Sequence, residues 1–236
     1  MNKHTRIAKL QQLIAQNRSL HMRAAADFLN VSEMTIRRDI RSHPELFDTL
    51  GGHIIAPNGP APYDLGRAVD LNKASKKAAC SHCLPLINAG DTVFIDCGTT
   101  LVHLVDMLPD GLPITIICYA LNIADRTIRK PDVKLVLIGG EYHSKTASFG
   151  LLKDDRVYDS LAINTAFLSA AGFDQTLGAT CSSFHEATQK RAAMQRAQKQ
   201  VLVVDKSKFG KTSAAHFADA TDFDHIFSQN GAWSLP

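Results

Sequence analysis

Two stretches of the chain bring together residue types that can do chemistry. The first is Asp96-Cys97-Gly98-Thr99-Thr100. Gly98 removes a side chain, so a ligand can approach the backbone. Backbone N–H groups and the hydroxyls of Thr99 and Thr100 then converge where a helix is expected to start, an arrangement that binds anions and phosphate above all. Asp96 offers acceptor oxygens to a sugar hydroxyl. Four other segments carry polar groups, three of them with glycine: Tyr119-Ala120-Leu121-Asn122, Gly139-Gly140-Glu141-Tyr142-His143, Ala170-Ala171-Gly172-Phe173-Asp174 and Asp205-Lys206-Ser207-Lys208-Phe209-Gly210. Lys206 or Lys208 can supply the cation for a phosphate. The candidate contacts to a small phosphorylated ligand are Asp96, Gly98, Thr99, Thr100, Asn122, Gly139, Gly140, Glu141, Gly172, Asp174 and Lys208.

The second stretch is Ser32-Glu33-Met34-Thr35-Ile36-Arg37-Arg38-Asp39-Ile40-Arg41. Ser32 is placed to cap a helix through its hydroxyl, and Glu33 suits the positive end of the helix dipole. Ile36 and Ile40, four apart, anchor one face to a core. A short helix so anchored and carrying Arg37, Arg38 and Arg41 fits the major groove of DNA. Arg37 and Arg38 are the candidates for phosphate or guanine contacts. Ser32, Glu33 and Thr35 lie near the helix start, where backbone and base edges are in reach, and Arg41 extends the basic surface.

Both stretches need elements to position them. Ile7, Leu10, Leu13 and Ile14 recur at helical spacing, predicting a helix over 3–16, and an alanine-rich helix follows over 22–29. With the arginine helix these make a helix-turn-helix. Two short apolar runs around Gly51-Gly52 predict a hairpin, the wing of a winged helix, with His53 near its tip. Three prolines and a glycine in 57–62 exclude helix and central strand and mark a boundary. The expected division is a DNA-binding domain over 1–56, a linker over 57–63 and a ligand-binding domain over 64–236.

In that second domain a long helix is predicted over 64–88. Short apolar, β-branched runs follow at 92–96, 114–118, 134–138, 165–169 and 201–205, and 225–228 is expected to add a last strand. Helical segments are predicted between them at 99–108, 121–129 and 184–198. Strands apolar on both faces and alternating with helices indicate an α/β fold with a mostly parallel sheet covered on both sides. Ligands bind such sheets beyond the carboxyl ends of the strands, where the polar segments fall.

Charge supports the division. Residues 1–56 hold eight Lys/Arg and five Asp/Glu, so the whole formal excess of +3 lies in the N-terminal quarter, where a polyanion would bind. No apolar run is long enough to span a bilayer and the start has no signal-peptide core, which predicts a cytoplasmic protein with no membrane partner. Five cysteines do not suggest a disulfide framework. Cys80-Ser81-His82-Cys83 supplies too few ligands for structural zinc, and Cys97 has no identifiable base beside it, so no metal, cofactor or catalytic nucleophile is expected.

Residues 1–56 resemble the DNA-binding domain of DeoR-type bacterial transcriptional regulators, whose signature includes Ser-Glu-Met-Thr-Ile-Arg-Arg-Asp as it stands at 32–39. The segments at 96–100, 118–122, 139–143, 169–172, 178–181 and 205–210 resemble the same family's sensor domain, and look closest to the branch that controls deoxyribonucleoside catabolism. The resemblance spans about residues 3–230. It implies a winged helix-turn-helix joined to a domain of the ribose-5-phosphate-isomerase type that senses phosphorylated sugars, with deoxyribose 5-phosphate as the inducer in that branch. Ala171 departs from the pattern, because many relatives carry an acidic residue there. Related isomerases use carboxylates in this loop, and only Asp174 remains here.

The expected function is that of a repressor, not an enzyme. It would act as a homo-oligomer on double-stranded operator DNA and leave it when a sugar phosphate binds. Two alternatives stay open: a sugar-phosphate isomerase fused to a DNA module, with Glu141 or Glu186 as base, and an activator.

Overall fold

A computed structural model describes residues 2–17, 19–50, 53–55, 72–152 and 156–233. The linker and Gly51-Gly52 lie outside the described residues. The chain divides into two compact units, Met1–Tyr63 and Asp64–Pro236.

Among its described residues the first unit has three helices, α1 (Lys3–Asn17), α2 (Met22–Leu29) and α3 (Glu33–Arg41). Met22, Ala25, Ala26 and Leu29 turn one face of α2 inward, and their small members allow a neighbouring helix to approach. Asn30 ends α2 at φ +50°, a left-handed stop that asparagine tolerates. Ile7, Leu10 and Ile14 of α1, Ile36 and Ile40 of α3, Phe47 and Ile54 close the core. The expected hairpin is present as β2 (Asp48–Leu50) and β3 (His53–Ile55), paired antiparallel. A third strand, β1 (Ser19–His21), joins it on the other side of β3. Three residues between two helices carry no readable alternation, so the sequence does not announce this strand.

The second unit is built on a seven-stranded sheet. Its strands are β4 (Thr92–Ile95), β5 (Ile114–Cys118), β6 (Val133–Leu137), β9 (Ile163–Leu168), β12 (Ala197–Val203), β14 (His225–Ser228) and β15 (Gly231–Trp233), in the order β15-β14-β12-β9-β4-β5-β6. All neighbours are parallel except β14 and β15. Val93, Phe94 and Ile95 are wholly buried, as a central strand with both faces covered requires. Helices α4 (Lys73–Ser81), α5 (Val102–Met107), α6 (Leu121–Thr127) and α7 (Phe184–Arg196) accompany the sheet. Two small antiparallel sheets sit apart from it, β7 (Glu141–His143) with β8 (Ser148–Gly150), and β10 (Gly172–Asp174), β11 (Gly178–Cys181) and β13 (Ala215–Ala218).

Several predicted boundaries move. Of the helix expected over 64–88, the described part is α4, followed by a single turn at Leu84–Leu86 that carries Pro85 and breaks the run. The helix expected over 99–108 starts only at Val102, so Gly98, Thr99 and Thr100 lie in a bend before it and not at its N-terminus. Strand β12 begins four residues earlier than expected, directly after α7. The three-residue strands of the two small sheets escape a pattern read over longer windows.

Candidate functional site

In the first unit the arginine helix is capped as its sequence implies. Ser32 Oγ accepts from Thr35 N at 3.2 Å and lies 3.0 Å from Thr35 Oγ1. Ile36 and Ile40 are buried, while Met34, Arg37, Arg38 and Arg41 are exposed. Their spacing of i, i+3, i+4 and i+7 forms one stripe down the helix. Ser32 and Glu33 are exposed at its start and Thr35 is half-buried. Met34, 68% exposed, was not among the expected contacts, although its spacing from Arg37, Arg38 and Arg41 was available to find it. Asp39 faces the other way. It takes Arg6 Nε at 2.5 Å and Nη2 at 3.1 Å, a two-pronged bond tying α3 to α1. Arg6 therefore belongs to the scaffold of this unit.

In the second unit the strand order reverses at β4. From β4 the chain goes to β5 and β6 on one side, while β9, β12 and β14 build up on the other. A crevice for ligands is expected outside the carboxyl ends of the strands at such a point. The ends of β4 and β9 are joined there by Asp96. Its Oδ1 accepts from Tyr119 Oη at 2.6 Å, and its Oδ2 from Ser169 N at 2.9 Å and Ser169 Oγ at 2.8 Å. The Lys190 ammonium closes on the same Oδ2. Asp96 is 0% exposed. Its oxygens thus hold β4, the end of β5, the end of β9 and α7 together, which corrects the expectation that this carboxylate faces a sugar.

Around this clamp the charges are balanced by burial. Burial pulls the Lys190 pKa down, but the surrounding Asp96, Cys97, Cys181 and Glu186 outweigh it and the net shift is upward. Burial raises Glu186, with Asp96 adding to the effect and Lys190 opposing it. The Cys97 thiol donates to Glu186 Oε1 at 3.5 Å and its pKa is pushed well up by burial, which disfavours the thiolate.

The loop above the clamp is held from two sides. Asn122, at the start of α6, donates through Nδ2 to Gly98 O at 2.8 Å. Lys76 of α4 donates through Nζ to Thr99 Oγ1 at 2.8 Å and is 4% exposed. Gly98 takes φ +101°, which the bend requires and a side chain would resist. Thr99 and Thr100 are both buried. The loop after β12 reaches the same helix, because Asn72 at the head of α4 donates to Asp205 Oδ1 and to Ser207 Oγ, each at 3.2 Å. Lys208 is half-buried in the turn that follows. Lys76 and Asn72 were missed by sequence reasoning, since a lysine-rich helix reads as a solvated face. Three buried polar atoms have no hydrogen-bond partner among the described residues: Asn122 Oδ1, Asp205 Oδ2 and His103 Nε2.

Asp96, Gly98, Thr99, Thr100 and Asn122 are therefore brought together, and Lys208 lies in the turn that Asp205 anchors. The others serve the small sheets. Gly140 at φ +152° passes so close to the carbonyl of Gly150 that a Cβ has no room, so it is a closing position of the β7–β8 hairpin. Gly139 and Glu141 are exposed beside it. Gly172 is packed against the backbone of Lys211 and Thr212 inside β10. Asp174 Oδ1 accepts from Thr176 N at 2.9 Å and Leu177 N at 3.0 Å, bonds that close the β10–β11 turn and lower its pKa. These two correct the expectation of a ligand loop after β9, because the segment is strand and turn.

No described helix is long and apolar enough to cross a membrane. Among the described residues no group of His, Cys, Asp or Glu is arranged to hold a metal ion.

Known proteins bear out this architecture. Residues 6–53 match the DeoR-like helix-turn-helix domain and residues 71–230 the DeoR C terminal sensor domain. The chain is 37% identical over 224 residues to the deoxyribose operon repressor of Escherichia coli (strain K12), covering 94% of this chain and 89% of that protein. It is 29% identical to the HTH-type transcriptional regulator IolR of Bacillus subtilis (strain 168), covering 90% and 86%. Among solved structures, the chain's fold is similar to that of the tetrameric eIF2B-beta2-delta2 complex from C. thermophilum, with a TM-score of 0.52 at 12% identity over 72% of this chain and 58% of that one. Ribose 5-phosphate isomerase from Methanocaldococcus jannaschii matches with a TM-score of 0.45 at 17% identity, over 58% and 55%. The chain spans less than two thirds of either structure. With a helix-turn-helix of one family's type in its first unit and that family's sensor domain filling its second, the chain belongs to the DeoR family of transcriptional regulators.

Proposed function

We propose that the protein is a repressor that leaves its operator when a phosphorylated sugar, deoxyribose 5-phosphate first among the candidates, occupies the crevice beyond β4 and β9. The observation that carries the reading is the loop Gly98–Thr100, held between Lys76 and Asn122 at the point where the strand order reverses. Hydroxyls, a buried ammonium and a glycine backbone suit an anion. Unpartnered acceptor oxygens on Asn122 and Asp205 suit ligand hydroxyls beside it. The 37% identical relative named a deoxyribose operon repressor supports the choice of sugar.

The exposed stripe Met34, Arg37, Arg38 and Arg41 reads the DNA: arginines to phosphates or guanines, Met34 to apolar base edges. One such unit is small, so two or more copies act on a repeated or palindromic operator. An isomerase reading is disfavoured, because Glu141 is exposed at the rim of the hairpin and Glu186 is buried against Cys97 and Lys190.

A gel-shift on the protein's own upstream DNA, repeated with a panel of sugar phosphates, tests this. A complex dissolved by deoxyribose 5-phosphate and not by deoxyribose is expected. Arg38→Ala should weaken the complex by roughly 5–150-fold, from about 1–3 kcal/mol, and leave sugar-phosphate binding intact. Steady conversion of a pentose 5-phosphate to its ketose would refute the repressor reading in favour of the enzyme.

A further inference from the structure

The seven-stranded sheet ends on two unequal edges. At one, β15 is three residues long, too short to offer a further strand much. At the other, β6 runs for five residues, Val133-Lys134-Leu135-Val136-Leu137, and pairs with β5 alone among the described strands. Lys134 and Leu137 are exposed there, and Val133, Leu135 and Val136 are only half-buried. The strand has no proline and one charge, Lys134. An apolar edge of this kind is a template for another strand. We propose that the β6 edge is the surface on which a second copy of this chain docks, β6 against β6 and antiparallel about a twofold axis at Leu135, so that two sheets become one. This rests on the reading above that two or more copies act on one operator, and adds the surface through which they join.

The backbone sets the register. Ile138 N donates to Cys118 O at 2.8 Å, so alternate residues counted back from Ile138 turn their backbone groups to β5. Val133, Leu135 and Leu137 turn theirs outward. Val133 N–H is taken by Lys130 O at 3.2 Å, which leaves Val133 O for a partner. Centred on Leu135, an antiparallel pairing lets the two Leu135 exchange both backbone bonds and lets each Leu137 N–H donate to the second copy's Val133 O. A twofold axis matches this surface to itself. Lys134 then falls opposite the second copy's Val136, and the two lysines approach only on the diagonal, about 7–8 Å apart. The charges on the helix and turn that lead into β6 are settled within the chain: Arg126 pairs with Asp106, Arg129 with Asp125 and Lys130 with Asp110. A surround neutralised in this way accepts an identical surface, whereas a charged partner would find little but Lys134 to pair with. A stable pair of chains buries about 1,200–2,000 Å² in all, more than two short strands cover. Exposed apolar side chains extend the surface at both ends, Ile128 at the end of α6 and Tyr142 in β7. The antiparallel direction brings the Ile128 end of one copy to the Tyr142 end of the other.

The test uses the full chain, with self-association measured by sedimentation equilibrium and pairing by cross-linking. Leu135→Cys places one thiol on each side of the axis, where paired residues stand about 5.5 Å apart between Cα atoms, within reach of a disulfide. Mild oxidation should convert this variant to a covalent dimer, while the wild type, whose five cysteines are all buried, should not cross-link. Leu137→Lys sets a charge opposite the second copy's Val133 at a position already exposed, so folding is not at stake. It should raise the dissociation constant of the dimer at least tenfold. Adding Val133→Glu to it creates two opposite-charge pairs across the axis and should bring the constant back to within about threefold of wild type, a rescue that a misfolded chain would not show. A dimer indifferent to Leu137→Lys, with no cross-link in Leu135→Cys, overturns the strand pairing even if the operator is bound by two copies. A wild-type chain that stays monomeric under these conditions also overturns it, and leaves the edge to a foreign strand. A chain that cross-links through Leu135→Cys but does not shift its upstream DNA supports the pairing and counts against the repressor reading alone.

Discussion

Arg6 and Asp39 meet through two hydrogen bonds, 2.5 and 3.1 Å long, with the Arg6 side chain 11% and the Asp39 side chain 3% exposed. The aspartate belongs to the helix whose opposite stripe carries Arg37, Arg38 and Arg41. The pair sets the angle at which α3 presents those arginines by fixing it to α1 from behind. It also removes one positive charge from the surface offered to DNA.

Cutting this pair should therefore cost stability first and DNA affinity through it. Arg6→Met leaves the Asp39 carboxylate enclosed without its partner, at a cost of roughly 2–4 kcal/mol, toward the lower side of buried pairs because Arg6 keeps some exposure. Chemical denaturation followed in the first unit, for example through a probe on α1, should show the loss. An Arg6→Met chain of wild-type stability with weakened operator binding would instead make Arg6 a direct DNA contact.

The Asp96–Lys190 pair gives the second prediction. Both side chains are at or below 1% exposure, and the carboxylate ties four elements together. Asp96→Ala strands the Lys190 ammonium in the core and should cost about 3–5 kcal/mol. For a unit of this size that is a fall of roughly 10 °C in the midpoint of thermal unfolding. The clamp beneath the ligand loop would go with it. Scanning calorimetry decides: an Asp96→Ala chain that melts like wild type and has lost only effector binding would restore this residue to direct contact with the sugar.

His185 makes the second unit sensitive to acid. Its ring stacks on His143 at 3.8 Å between centroids, and its nitrogens bond Ser148 and Ser183. Burial first and the His143 ring second push its pKa down from 6.5 to about 4, with Glu141 opposing and Lys190 assisting. The folded state thus holds the ring neutral where the unfolded chain protonates it. Its contribution is complete above about pH 6.5 and declines as pH falls from there towards 4. Urea midpoints measured across that window should drop, and His185→Gln should flatten this part of the profile. A profile unchanged by the substitution would show that the drop has another origin.

Much of the fold was legible because it depends on local periodicity. The turn Asn30-Val31-Ser32 into α3, the buried Ile36 and Ile40, and the central strands β4, β5 and β9 follow from which side chains must leave water within one element. The small sheets were not legible: β1, β7, β8 and β10 are three residues each and exist only through pairing with strands elsewhere in the chain. Gly172 and Asp174 were misplaced for that reason. A glycine and an aspartate after an apolar run look the same in a ligand loop and in a tight strand-to-turn passage.

The amino-acid order alone determined that a basic helix-turn-helix precedes an α/β domain, and that polar, glycine-bearing segments follow its strands. Helix periodicity, strand composition and capping act over a few residues, so they are written locally. Which of those polar groups are drawn into the protein's own contacts was decided by the folded chain. Asp96 is drawn inward by Lys190, Tyr119 and Ser169, which lie from 23 to 94 positions away, while Lys76 comes across from α4 to stand at Thr99. Electrostatic partners are chosen by distance in space, and the order of residues does not contain that distance.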